Sequence, residues 1–206
     1  MAITNGYATL TEIKTSLRIS DTIDDTQLEM AVEAASRLID GYAQRYFYPS
    51  GTATRVFASD NTYQVVLDDL LTVSEVKLSS LDNGTFDTTL TSTDYQLYPL
   101  NNVVGGLTGW PFTELVLAGN YLSANYGFTT GSGRANVQIT GTWGWSAVPI
   151  AVKQATIIQA SRIFKRADSP LGVAGFGDMG VMRVSSSLDP DVRQLIDPYR
   201  LMRNFQ

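Results

Sequence analysis

Two segments with the periodicity of an amphipathic helix lie on either side of residues 53–147, whose apolar positions alternate instead. A period near 3.6 buries one stripe of a helix and a period of two buries one face of a strand, so the chain must change architecture twice. Over 26–46, Leu28, Ala31, Val32, Ala35, Leu38, Ile39, Tyr42 and Tyr46 fall in an arc of roughly 120° at 100° per residue. Glu29, Glu33, Arg37, Asp40 and Gln44 take the opposite side, and Asp24 or Asp25 is placed to cap this helix. Over 149–167, Val152, Ala155, Ile157, Ala160, Ile163, Phe164 and Ala167 form a second apolar arc behind Pro149, a residue suited to a first helical turn. Ile158 stands among the polar residues of that helix. A shorter helix over "TLTEIKTSLRI" comes first, with Thr9 or Thr11 at its cap and Leu10, Ile13 and Leu17 on one side.

Between the helical segments, "YQVVLD", "SEVKLSS", "DYQLYP" and "TELVLA" read as strands, and Asp82-Asn83-Gly84 is a hairpin signal. In "ANVQITGTW", Val137, Ile139, Gly141 and Trp143 share one face. Two glycine-rich stretches, "NNVVGGLTG" and "GNYLSANYGFTTGSG", read as loops. The chain closes on a helix capped by Asp189, with Pro190 at its first position. That helix has an apolar stripe of Val192, Leu195, Ile196, Tyr199 and Met202, and Pro198 is expected to kink or break it. The fold class is therefore α+β. N- and C-terminal helices (1–52 and 148–206) form a small bundle, and an antiparallel β domain (53–147) is inserted between them. No apolar run approaches the roughly 20 residues of a membrane helix. "MAITNGYATLTEIK" lacks the basic head and apolar stretch of a secretory signal.

There is no cysteine and no histidine, which excludes disulfides, thiolate or imidazole zinc sites, and nucleophiles activated by histidine. No cofactor and no metal are expected. Asp24-Asp25 and Asp68-Asp69 lack the D-x-D-x-D-G pattern of a calcium loop and are better used as a helix cap and a strand end. Trp110, Trp143 and Trp145, with Tyr121, Tyr126 and Phe128, have the chemistry of a sugar or base platform, although core packing is the more common use.

Gly175, Gly177 and Gly180 spell G-x-G-x-x-G, the spacing of a dinucleotide loop. Such a loop works only after a strand and at the start of a helix, whose N–H groups face the phosphates. Here a helix precedes the glycines and an extended segment follows. The surrounding residues Leu171, Val173, Ala174, Phe176, Met179, Val181 and Met182 are apolar, unlike a solvated linker. Such a loop either tucks onto its own core or orders against a neighbouring chain.

Charge is unevenly placed. Residues 1–149 carry seven Lys and Arg against fifteen Asp and Glu, a balance of −8; residues 150–206 carry eight against five, a balance of +3. That pattern lacks the concentrated basic face of a nucleic-acid binder.

Taken in order, "TLTEIKTSLRIS", "TQLEMAVEAASRLIDGYAQRYF", "LLTVSEVKLSSLDNGTF", "DYQLYP", "GWPF", "VQITGTWGWSAVP", "VKQATIIQASRIFKR" and "SPLGVAGFGDMGVMRVSSSLDPDVRQLIDPYR" resemble the head–tail connector (adaptor) proteins of long-tailed bacteriophages and related gene-transfer particles. The resemblance implies a homo-oligomeric ring, a dodecamer in the virion, at the neck between the portal protein and a stopper or tail-terminator protein. DNA would pass through it non-specifically, without membrane or catalysis, after assembly in the host cytoplasm. The separate, basic, amphipathic C-terminal segment after the glycine-rich loop, together with this resemblance, points to docking on the portal through Val192, Leu195, Ile196, Tyr199, Arg200, Met202 and Arg203. Leu171, Val173, Phe176, Met179 and Val181 would then contact a neighbouring subunit. Another neck or tail-completion protein, and a carbohydrate-binding β module, are the alternatives.

Overall fold

The computed structural model describes residues 3–59, 61–81, 83–119, 128, 134–167, 173–175, 181–183 and 188–201. Helices α1 (Leu10–Leu17) and α2 (Asp25–Ala43) lead into strands β1 (Pro49–Phe57), β2 (Gln64–Leu78), β3 (Thr88–Leu90) and β4 (Tyr95–Tyr98). Strands β5 (Val103–Val104), β6 (Leu107–Thr108), β7 (Phe112–Leu117) and β8 (Val137–Gly144) follow. The chain then returns to helix α3 (Ile150–Ala167), passes β9 (Val173–Gly175) and β10 (Val181–Arg183), and reaches α4 (Pro190–Ile196) with a 3-10 turn at Asp197–Tyr199. The chain divides into two compact units, Met1–Phe47 with Val148–Gln206, and Tyr48–Ala147. Helices and an antiparallel sheet together make the fold α+β.

In the helical unit, α1 begins with a reciprocal cap. The Glu12 N–H donates to Thr9 Oγ1 at 3.2 Å, and the Thr9 N–H donates to Glu12 Oε2 at 2.8 Å. Helix α2 buries Leu28, Ala31, Val32, Ala35 and Ile39 and packs along α3, with α1 against both and α4 against α3. Asp24 occupies the N-cap position of α2, but its side chain makes no capping hydrogen bond. Lys14 Nζ instead reaches Asp25 Oδ1 at 2.5 Å and ties α1 to α2.

Helix α2 stops at Ala43, three residues before the expected end. Gln44 takes the left-handed conformation at φ 57°, so the 100° progression fails there. Arg45 consequently turns inward and is buried, while Tyr46 turns outward. On α3, the polar Gln159 is also buried. Its Oε1 accepts from the Asp189 N–H at 3.4 Å.

In the sheet unit the strand order is β1-β8-β2-β7-β4, with β3 on β2 and every pairing antiparallel. Val137, Ile139, Gly141 and Trp143 of β8 all face the core, as their alternation requires. "YQVVLD" and "SEVKLSS" are one strand rather than two. The register between β2 and β8 shifts at Leu70/Thr72 and again at Val73/Glu75. These bulges break the period of two in the sequence without breaking the strand. The 52/53 boundary moves as well, because β1 pairs with β8 from Pro49 onward and residues 48–52 belong with the sheet. "NNVVGGLTG" holds the small hairpin β5–β6, turned by Gly105 and Gly106 at φ 57° and 82°.

Candidate docking surfaces

The C-terminal segment is built onto the helical unit. Asp189 Oδ1 accepts the Asp191 N–H at 2.8 Å, and Pro190 fills the first position of α4. The Asp189 carboxylate also pairs with Arg162 of α3. The helix ends at Ile196, and Pro198 lies in the 3-10 turn that follows, as expected of a proline there. Beyond it the chain is held against the end of α2. Tyr42 Oη donates to Asp197 Oδ1 at 2.6 Å, the Arg200 guanidinium lies 4.6 Å from the Tyr42 ring centroid, and the Leu201 N–H donates to Ala43 O at 2.9 Å. The acceptor Asp197 holds the Tyr42 phenol above its ordinary pKa.

This arrangement changes the reading of the docking stripe. Val192, Ile196 and Tyr199 are buried in the helical unit, where Tyr199 meets Phe47 edge-on at 6.0 Å. An amphipathic pattern identifies the face a helix buries, and here that face covers the chain's own core. Leu195 is half-buried, and Arg193 and Arg200 are exposed. Met202 and Arg203 lie outside the described residues. So do Leu171, Phe176 and Met179 of the glycine-rich loop. Val173 and Val181 lie in β9 and β10, which pair antiparallel with Val181 opposite Gly175 and Arg183 opposite Val173. Gly175 therefore ends a strand that pairs with another strand, not the strand–helix turn of a dinucleotide site.

The tryptophans do not form an open platform. All three are buried, Trp110 and Trp145 meeting at 5.1 Å. Trp143 Nε1 donates to Ala53 O at 2.8 Å and Trp145 Nε1 to Asp69 Oδ2 at 2.9 Å. Phe128 is buried, and Tyr121 and Tyr126 lie outside the described residues. Asp68 takes Arg55 at 2.9 Å. Among the described residues no cluster of three or more acidic groups is placed to hold a metal, and no helix is long and apolar enough to cross a membrane.

Sequence reasoning missed a buried polar cluster. Tyr7 Oη donates to Asp40 Oδ1 and accepts the Phe47 N–H at 2.9 Å. The Tyr7 N–H donates to Ser36 Oγ at 3.1 Å, and Arg37 Nε reaches Asp40 Oδ2 at 2.7 Å. Burial pushes the Asp40 carboxyl above its usual range, against the opposing pull of Tyr7 and Arg37. The cluster ties the N-terminal segment, α2 and Phe47 together. It offers no nucleophile with a base.

Outward apolar side chains were missed as well. Met30 is 56% exposed, Leu38 47% and Ile150 86%. The β5–β6 hairpin adds Val103, Val104 and Leu107. On α2, Met30, Ala34 and Leu38 repeat at i, i+4 and i+8; Leu38, at the edge of the arc expected to be buried, turns outward with the other two.

Residues 7–72, which run from just before α1 into β2, match the family model of the phage gp6-like head-tail connector protein. A search of curated proteins by sequence finds no significant match. Among solved structures, one chain from the "Neck of empty GTA particle computed with C6 symmetry" is similar, with a TM-score of 0.55 at 20% identity. The likeness covers 98% of this chain and 94% of that one. The likeness to head–tail connectors read from the sequence is thus found again in a family model over the N-terminal third, while the fold is shared along nearly the whole length with a chain of that neck.

Proposed function

We propose that this chain is a structural head–tail connector, taking as premise its match to the gp6-like connectors over residues 7–72. It sits in the neck of a long-tailed phage or related gene-transfer particle. It forms a ring, a dodecamer in the virion, between the portal and a stopper or tail-terminator protein. Helices from the two ends of the chain make the bundle from which the inserted sheet departs, and assembly takes place in the host cytoplasm. The matched family is one of structural connectors, and the role requires no cofactor.

The observation that carries this reading is the coincidence of that match with a fold shared from end to end with a chain of a neck assembly. The charge supports it. An acidic body repels the phosphate backbone, so duplex DNA can slide through a channel lined by it instead of adhering. Docking on the portal falls to the exposed Arg193 and Arg200 and the half-buried Leu195 of the C-terminal segment, with Met202 and Arg203 after them in the sequence. Ordering between neighbours falls to the glycine-rich loop of Leu171, Val173, Phe176, Met179 and Val181.

The test is copurification with the portal protein of the same particle, followed by reconstruction of the complex. A ring under the portal is expected, and charge reversal at Arg193 and Arg200 should reduce its yield at least tenfold. Failure of the unmodified chain to bind the portal overturns the connector reading. Undiminished binding of the charge-reversed variant overturns only the docking segment. Deleting 188–206 would be a poorer test, because it removes Val192 and Ile196 from the core.

A further inference from the structure

We propose that the outward faces of α2 and α3 are the two halves of one head-to-tail seam between copies of this chain, α2 of one copy lying antiparallel to α3 of the next. The proposal rests on the ring reading and names the surface that builds the ring.

On α2 the stripe is Met30, Ala34 and Leu38; on α3 it is Ile150, Gln154 and Ile158. Met30 is 56% exposed, Leu38 47% and Ile150 86%; Ala34 and Gln154 are exposed and Ile158 half-buried. Both stripes repeat at i, i+4 and i+8, so each is about 12 Å long at 1.5 Å per residue. Each lies on the side of its helix turned away from that helix's buried residues, Val32 and Ile39 on α2, Val152 and Ala155 on α3. Since α2 and α3 pack on each other through those buried sides, one copy cannot close its own two stripes together. Two different surfaces that meet only between copies make a heterologous contact, the type that generates rings.

Charge fixes the direction. Asp21 and Asp24 precede α2, and exposed Lys165 and Arg166 end α3. Antiparallel packing sets Met30 against Ile158 and Leu38 against Ile150, and brings the acidic entry of α2 to the basic exit of α3. It also opposes the two helix dipoles. Parallel packing would take Lys165 and Arg166 away from Asp21 and Asp24 and align the two helix dipoles.

Gly41, one turn beyond Leu38, is the independent pointer. A helical glycine is about 1 kcal/mol less favourable than alanine. A Cβ at Gly41 would meet nothing within 4 Å among the described residues, so none of them requires its absence. Close approach of a neighbouring backbone does.

The chain has no cysteine, so introduced thiols are the only ones present. The L38C/I150C and M30C/I158C double variants are concentrated and oxidised, then resolved on a non-reducing gel. A ladder extending beyond dimer is expected from both, at least tenfold stronger than from M30C/I150C, the pair a parallel seam would join. Each single variant should stop at dimer. No ladder, or equal ladders from matched and mismatched pairs, overturns the seam. Native mass spectrometry of the unmodified chain at the same concentration then separates the two failures. Closed multimers without the matched ladder, whether formed alone or on the added portal protein, leave the ring standing on another surface, and monomer both alone and with the portal takes the ring reading down with the seam.

Discussion

Tyr7 and Glu12 show how single side chains near the N-terminus hold elements distant in sequence. The Tyr7 hydroxyl satisfies two buried groups, the Asp40 carboxylate and the Phe47 N–H. Tyr7→Phe keeps the ring that packs edge-on with Phe47 at 5.6 Å and leaves both polar groups without that partner. The expected loss is about 1–3 kcal/mol, read from the urea midpoint at constant slope. A loss below about 0.5 kcal/mol would mean that water satisfies the cluster. Glu12 accepts from Lys153 Nζ at 2.8 Å as well as from the Thr9 N–H, and the lysine contact is the main reason its carboxyl titrates below the usual range. A carboxyl with a lowered folded pKa favours folding above its unfolded value, near 4.3, and that contribution disappears as pH falls through the folded pKa. Glu12→Gln should therefore melt below the parent at pH 7, with the gap closing towards pH 3. A gap unchanged across that range would show that capping geometry alone, not charge, carries the effect.

At the scale of elements, two glycines of similar appearance in sequence should respond oppositely to a methyl group. Gly41 lies in open space in the last turn of α2, so Gly41→Ala should stabilise the monomer by about 0.5–1 kcal/mol. Gly141 lies in β8 beneath the bulged part of β2, where a Cβ would strike the Thr72 carbonyl and Leu70 Cδ1. Gly141→Ala should destabilise by more than about 2 kcal/mol, as overpacking of a closed site does. Thermal melts of the two variants check both signs. What sequence shows and hides follows the same division. The cores of α2 and α3 were legible because Leu28, Val32, Ala35 and Val152 keep a 3.6 period, and the face of β8 because Val137, Ile139 and Trp143 keep a period of two. Tyr46 was misplaced because the left-handed Gln44 resets the wheel. The continuity of β2 was hidden because bulges shift its phase. Val192, Ile196 and Tyr199 drop out of the docking stripe for another reason. An amphipathic pattern marks the face that is buried without saying whose atoms bury it, and for Val192 and Ile196 they are the chain's own.

For the whole molecule, the decisive quantity is the sign and placement of charge. Residues 1–149 hold a balance of −8, and there Arg55 and Lys77 are paired with Asp68 and Glu75; Lys153, of the 150–206 segment, is paired with Glu12. Basic side chains already neutralised by carboxylates release no counterions from DNA, and counterion release drives non-specific binding. The one basic excess, +3 over 150–206, includes Arg162 bound to Asp189 and Arg200 stacked on Tyr42. On the proposed reading, a channel that DNA has to slide through needs this low affinity. The isolated chain is accordingly expected to leave the anisotropy of a labelled 30-base-pair duplex unchanged at 0.15 M salt up to about 100 μM, the weak end of ordinary non-specific binding. A rise at low micromolar protein, lost between 0.05 and 0.2 M salt, would place a basic track on the molecule and argue against a sliding channel. A rise that persisted at high salt would point to apolar or stacking contacts with bases, for which the buried Trp110, Trp143 and Trp145 leave little surface.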